Sequence, residues 1–153
     1  MDYRPCVGMM IINNHRQIFI ARRKDITSEA PYAWQMPQGG MEISETPHQA
    51  AIRELVEEVG TDKVDLLATG SDWFFYDFPQ SLRKKSWNGR FTGQRQKWFL
   101  FQFTGEDKDI NLDTQHPEFS EWKWASKEDV LQLVIPFKRQ VYEQVLSEFA
   151  SFL

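Results

Sequence analysis

Cysteine is almost missing from this chain. Cys6 is the single thiol in 153 residues, so no intramolecular disulfide can form and the fold must rest on its core. With no catalytic partner recognisable nearby, Cys6 reads as a small packed apolar side chain. Long apolar runs are lacking too. Met1-Asp2-Tyr3-Arg4-Pro5 has neither the basic start nor the apolar stretch of a signal peptide, and no later segment is long enough to cross a bilayer, so a cytoplasmic protein without a membrane partner is expected. Positive charge is in deficit. A net charge of −4 excludes a large basic surface that grips a polynucleotide along its length, so no DNA partner is expected and any contact with RNA has to be local. Repeats, low-complexity tracts and linkers are absent, and the length suits a single domain, 1–153.

Aromatic residues, in contrast, reach 14 %, with six Trp and twelve Phe, enough to furnish a stacking site besides a core. The chain alternates strand-like and helix-like stretches. Val7 to Ile12 and Gln17 to Ala21 are β-prone runs around an Asn13-Asn14 turn and predict a hairpin. Short extended pieces are expected at Trp34 to Met36, Val64 to Thr69, Asp72 to Phe78, Lys97 to Thr104 and Glu121 to Trp124. Ser126 and Asp129 suggest a capping box for a short helix that ends before Pro136. From Phe137 onward, Val141, Val145 and Phe149 form a buried helical stripe flanked by Tyr142, Leu146 and Leu153. These elements predict an α/β fold with a central mixed sheet and helices on both faces. From Gln80 to Gln96 periodicity fails and Arg83, Lys84, Lys85, Arg90 and Arg95 accumulate, with Lys97 just beyond, a basic segment suited either to solvent or to a polyphosphate or the backbone of a nucleic acid.

Between Thr46 and Gly60 the punctuation of a helix is complete: Thr46 as N-cap, Pro47 at the first position, Gln49 closing a capping box and Gly60 as left-handed C-terminal cap. Ile52, Leu55, Val56 and Val59 are expected to face the core, leaving Glu54, Glu57 and Glu58 crowded on the other side by their three- and four-residue spacing. Two of these acids sit in the last turn, where the helix dipole disfavours anions by roughly 0.3–1 kcal/mol each. A hard divalent cation among the carboxylates would compensate, and magnesium or manganese suits oxygen ligands.

Gly39, Glu45, Arg53, Glu54, Leu55, Glu57, Glu58 and Gly60 follow the spacing G-x5-E-x7-R-E-U-x-E-E-x-G-U, with U aliphatic, and so resemble the Nudix box. Thr61 departs from the aliphatic residue usual at the last position. The resemblance implies an α/β/α sandwich and metal-dependent hydrolysis of a phosphoanhydride. It also implies Glu57 and Glu58 as metal ligands, Glu54 as ligand or general base, Arg53 as the residue that positions a glutamate, and a backbone carbonyl of the Gly39-Gly40 turn near the metal. Glu45 is then supporting or structural.

Further stretches are similar to the bacterial RNA pyrophosphohydrolase branch of that family, which also includes diadenosine polyphosphate hydrolases: YRPCVGMM at 3–10, ARR at 21–23, WQMPQGG at 34–40, GQRQKWFL at 93–100, PEF at 117–119 and FKRQVYEQVLSEFAS at 137–151. By this likeness Glu118 is an added metal ligand. Arg4, Lys97 and Lys138 are candidates for phosphate contacts, Tyr76 lies near the phosphates, and Arg23, Ile135 and Phe137 sandwich a base. The implied substrates are a 5′-phosphorylated RNA end or a dinucleoside polyphosphate, and the residues leave that choice open.

Overall fold

In the computed structural model, which describes residues 2–25, 33–83 and 89–153, strands come first. β1 (Tyr3–Ile12), β2 (Ile18–Arg23), β3 (Trp34–Gln35) and β4 (Gln38–Gly40) precede α1 (Pro47–Val59), β5 (Val64–Thr69), β6 (Phe74–Asp77) and α2 (Gln80–Arg83). β7 (Gly93–Phe103), β8 (Phe119–Ala125), α3 (Lys127–Leu133) and α4 (Arg139–Glu148) complete the chain. The hairpin expected at Asn13 forms because its side-chain oxygen accepts from the amides of His15 and Gln17, both at 2.9 Å, and so substitutes for a backbone turn.

The strands make one mixed sheet in the order β3-β2-β1-β7-β5, with β4 also on β1, β6 on β7 and β8 on β2. β1 and β7 run parallel in register from Tyr3 opposite Gly93 to Ile12 opposite Gln102, while the other pairs are antiparallel. Side chains alternate across β1. Met10 and Ile12 join a core with Val130 of α3 and Val141, Tyr142 and Val145 of α4; Val7, Met9 and Ile11 join another with Ala51, Leu55 and Val59 of α1. Helices therefore cover opposite faces, giving the expected α/β/α sandwich. Cys6 is buried and free, and burial pushes its thiol up to about 11.

α1 is rotated from its expected setting. Val56 is 45 % exposed and Ile52 only half-buried, whereas Glu54 and Glu58 belong to the buried stripe with Ala50, Ala51, Leu55 and Val59. The cause lies in β4: Gly39 has no side chain, and a Cβ there would fall on the Glu54 carboxylate, so the helix approaches the strand through an acid. The departure at Thr61 is absorbed locally, since the buried hydroxyl accepts from the Lys63 amide at 3.1 Å. Of the basic segment, Arg83 reaches the Phe78 carbonyl and lies 3.7 Å from Asp77, Arg90 faces Phe91 and Arg95 stacks on Trp73. Lys84 and Lys85 fall outside the described residues.

Candidate active site

The caps of α1 are those its sequence specifies. Thr46 Oγ1 accepts from the Gln49 amide at 3.2 Å, Gln49 Oε1 accepts from the Thr46 amide at 3.0 Å, and Gly60 takes φ 77°. Arg53 then ties the helix to the turn before it. Its Nε and Nη2 donate to the two oxygens of Glu45 at 2.6 and 2.8 Å, and Nη2 also donates to the Gly40 carbonyl at 2.9 Å. Nη1 holds Glu54 at 2.9 Å and Glu57 at 3.2 Å. This grip draws the Glu45 carboxyl down to about 2 and raises the guanidinium above its ordinary value.

The acids are thus divided rather than crowded on one exposed face. Glu57 is exposed and leans on Arg53. Glu54 is nearly buried, and burial raises its carboxyl against the opposing pull of Arg53. Glu58, 4 % exposed, is raised well above the carboxylate range, first by burial and then by Glu118 beside it. Neither oxygen of Glu58 has a partner in good hydrogen-bond geometry, and the Gln38 backbone amide is the weakest of the influences on its carboxyl. A buried carboxylate without donors is costly unless a cation or proton meets it. Among the described residues no three acidic, imidazole or thiol groups converge as a ready-made ligand set, and Arg53 holds both Glu54 and Glu57. The orphaned oxygens of Glu58 and the all-oxygen donor set still fit a hard divalent cation.

A cleft of about 710 Å³ opens beside these acids. Gly39, Glu54 and Glu118 line it, together with Arg4, Arg23, Tyr76, Phe137 and Lys138 from the candidate set. A Cβ at Gly40 would strike the Arg4 guanidinium, so the second glycine makes room for that cation. Phe137 and Tyr76 stand 5.6 Å apart between ring centres, and Arg23 is paired with Asp25. Burial pushes the Tyr76 hydroxyl up. Lys138 is buried, 3.3 Å from Gln35 Oε1, and burial, with Arg23 nearby, brings its ammonium down to about 7. Arg53, Glu57 and Glu58 stand behind the wall rather than on it, and two of the substrate-contact candidates lie elsewhere. Lys97 is not on the cleft wall; its ammonium is 3.4 Å from the Ser71 carbonyl, next to Glu148, which holds the same serine. Ile135, half-buried ahead of the 3-10 turn Pro136–Lys138, is also absent from the wall. Gln35, Gln38, Gln94, Lys24 and Asp25 line the cleft without having been singled out by sequence. Neutral amides carry no charge pattern, and only their places within WQMPQGG and GQRQKWFL pointed to them.

Residues 2–145 match the model of the NUDIX domain. The chain is 53 % identical over 152 residues to an RNA pyrophosphohydrolase of Rhodospirillum rubrum, covering 99 % of this chain and 90 % of the relative. It is 48 % identical over 153 residues to an RNA pyrophosphohydrolase of Wolbachia pipientis, covering 99 % and 92 %. The fold is similar to that of the E. coli dihydroneopterin triphosphate pyrophosphohydrolase, with a TM-score of 0.68 at 22 % identity over 94 % of this chain and 97 % of the other. With a domain match along most of its length and relatives at about half identity from end to end, the chain belongs to the NUDIX family.

Proposed function

We propose that this protein removes pyrophosphate, or successive phosphates, from the 5′ end of a di- or triphosphorylated RNA and leaves a 5′-monophosphate, with Mg2+ or Mn2+ as cofactor. One observation carries the reading: a single cleft on an acidic protein is lined both by carboxylates that suit a cation, Glu54 and Glu118, and by cations that suit a polyphosphate, Arg4, Arg23, Lys24 and Lys138. The names of the relatives at about half identity support the same substrate class.

Glu57, Glu58, Glu118 and the Gly39 carbonyl are the proposed holders of the cation, with Glu54 beside them. A bound divalent ion supplies neutralisation of the phosphoryl oxygens and polarisation of water. Arg53 positions Glu54 by holding Oε1, which leaves Oε2 to take the proton of the attacking water. Water attacks phosphorus, the anhydride P–O bond breaks, and Arg4 and Lys138 stabilise the negative charge on the departing phosphate. Arg23 and Phe137 flank the first base.

The test is a rate comparison with magnesium on a short 5′-triphosphate RNA and on diadenosine tetraphosphate, with Glu57→Gln as the blank. Faster appearance of 5′-monophosphate RNA supports the reading. Faster release of ATP and AMP makes the protein a dinucleoside polyphosphate hydrolase, and no turnover of either makes it a binding module.

A further inference from the structure

The cleft wall contains a set of hydrogen bonds whose direction is forced from inside the core. Trp98, on β7, is fully buried, and its indole lies over Gly8 of β1, the residue opposite it in the sheet, where a Cβ would overlap the ring. Its ring also meets Tyr142 edge-on at 5.8 Å. The indole is therefore fixed, and an indole N–H only donates. It donates to Gln96 Oε1 at 3.0 Å.

That single bond sets the amide of Gln96. Turning it over would put an NH2 against an N–H in a site that is 1 % exposed, leaving two donors unsatisfied at about 1–3 kcal/mol each. Nε2 of Gln96 accordingly faces the other way, and its two hydrogens meet two acceptors, Gln38 Oε1 at 3.0 Å and Gln94 Oε1 at 2.9 Å. Gln94, Gln96 and Trp98 share one face of β7 by strand alternation, and Gln38 sits on β4 opposite Gly8, whose missing side chain leaves room for the Trp98 ring between the two flanking strands. With both Gln38 and Gln94 carbonyls turned inward to Gln96, their NH2 groups are turned away from it. Both residues line the cleft. Gln38 also hydrogen-bonds the Tyr76 hydroxyl, and since its carbonyl is engaged by Gln96, the NH2 is the group that meets the phenol oxygen.

We infer that Gln96 is a positioning residue that, anchored by Trp98, locks the amides of Gln38 and Gln94 as hydrogen-bond donors toward the cleft, where they select phosphoryl oxygens. The inference rests on the reading that a polyphosphate occupies the cleft. Phosphoryl oxygens in ionised anhydrides only accept, so amides fixed to donate match them, whereas freely rotating amides would spend part of their time presenting carbonyl oxygens to an anion. The cations on the wall supply attraction and the locked amides supply direction.

The test joins a titration and a pair of variants. Side-chain NH2 resonances of Gln38 and Gln94 are followed in the 15N-labelled protein as inorganic tripolyphosphate is added with magnesium. Turnover of a 5′-triphosphate RNA and thermal midpoints are measured for Gln96→Glu and Gln96→Met. Gln96→Glu keeps the acceptor for Trp98 but has no hydrogens for the two carbonyls, which then turn outward. The expected result is a shift of both NH2 signals in the native protein and a KM raised about tenfold in Gln96→Glu, the size of one to two hydrogen bonds, with kcat within about twofold. Gln96→Met, which merely releases the amides, should raise KM less. NH2 signals that ignore tripolyphosphate overturn the inference, as does a KM within about twofold of the native value in both variants. If the native protein leaves 5′-triphosphate RNA untouched, the functional reading falls, and the tripolyphosphate titration, which needs no turnover, judges the amide polarity on its own.

Discussion

Arg53 and Glu45 face each other through two parallel hydrogen bonds, Nε to Oε2 at 2.6 Å and Nη2 to Oε1 at 2.8 Å, so the turn ahead of α1 and the middle of the helix are clamped by one planar fork. The remaining guanidinium nitrogen then reaches Glu54 and Glu57, which makes Glu45 the anchor of the group that orients both of these acids. Replacing Glu45 with Gln should lower kcat about tenfold or more and stability by about 2 kcal/mol, since one fork of a largely buried charged pair is lost. Steady-state kinetics and urea unfolding of the variant check this.

The same pair sets an acid limit. Glu45 is held near 2 in the folded protein against an ordinary 4.5, so the unfolded chain binds more protons between those values. Its contribution is complete above about pH 4.5 and is lost as pH falls toward 2. Thermal midpoints across that range should fall less steeply in Glu45→Gln than in the native protein.

Glu58 predicts an opposition between stability and activity. Its carboxylate is buried with both oxygens unpartnered beside Glu118, so Glu58→Gln should raise the thermal midpoint of the metal-free protein and abolish turnover. Magnesium or manganese should raise the midpoint of the native protein and leave that of the variant nearly unmoved, since a ligand stabilises only the state that binds it. Calorimetry with and without the metal decides.

Lys138 predicts a pH effect on binding. Its ammonium titrates at about 7, below the ordinary 10.5, so its attraction for a phosphate weakens as pH rises through neutrality. KM for a 5′-triphosphate RNA should climb above about pH 7 in the native protein and stay flatter in Lys138→Met. For folding the sign is opposite. The unfolded chain holds the extra proton between pH 7 and 10.5, so this group's contribution to stability improves with rising pH and the slope disappears in the variant.

Gly8 is the fourth position with a sharp expectation. A Cβ there would overlap the buried Trp98 indole, so Gly8→Ala should cost about 2–3 kcal/mol, read from denaturant unfolding.

Features governed by neighbours in sequence were legible without a structure. The Asn13 turn, the Thr46-Gln49 capping box and the Gly60 cap appear as expected, because each is decided within a few residues. Ser126 likewise caps α3 through the Asp129 amide. The facing of α1 was not legible. Val56 looks like core and Glu58 like surface until Gly39 is known to admit Glu54 against the sheet, a contact that belongs to β4 and not to the helix. The resemblance to the Nudix box singled out the acids and Arg53, and the likeness to its RNA-acting branch singled out most of the cleft cations. Lys97 and Ile135 fit that likeness by position, yet they lie off the wall, since which side of a strand or turn points inward is settled by packing. The glutamines were silent because their role comes from which way an amide is turned.

The parallel ladder of β1 on β7 joins segments about ninety residues apart, from Tyr3 with Gly93 to Ile12 with Gln102. Closing so long a loop must precede any reward from the pairing, so slow folding is expected from the topology itself. The cleft takes Arg4 from one of these strands and Gln94 from the other. A chain still emerging from the ribosome can therefore complete its acidic helix early and yet has no place to hold a phosphate until β7 and, after it, Glu118 and Lys138 arrive, which makes the onset of activity a late event of synthesis.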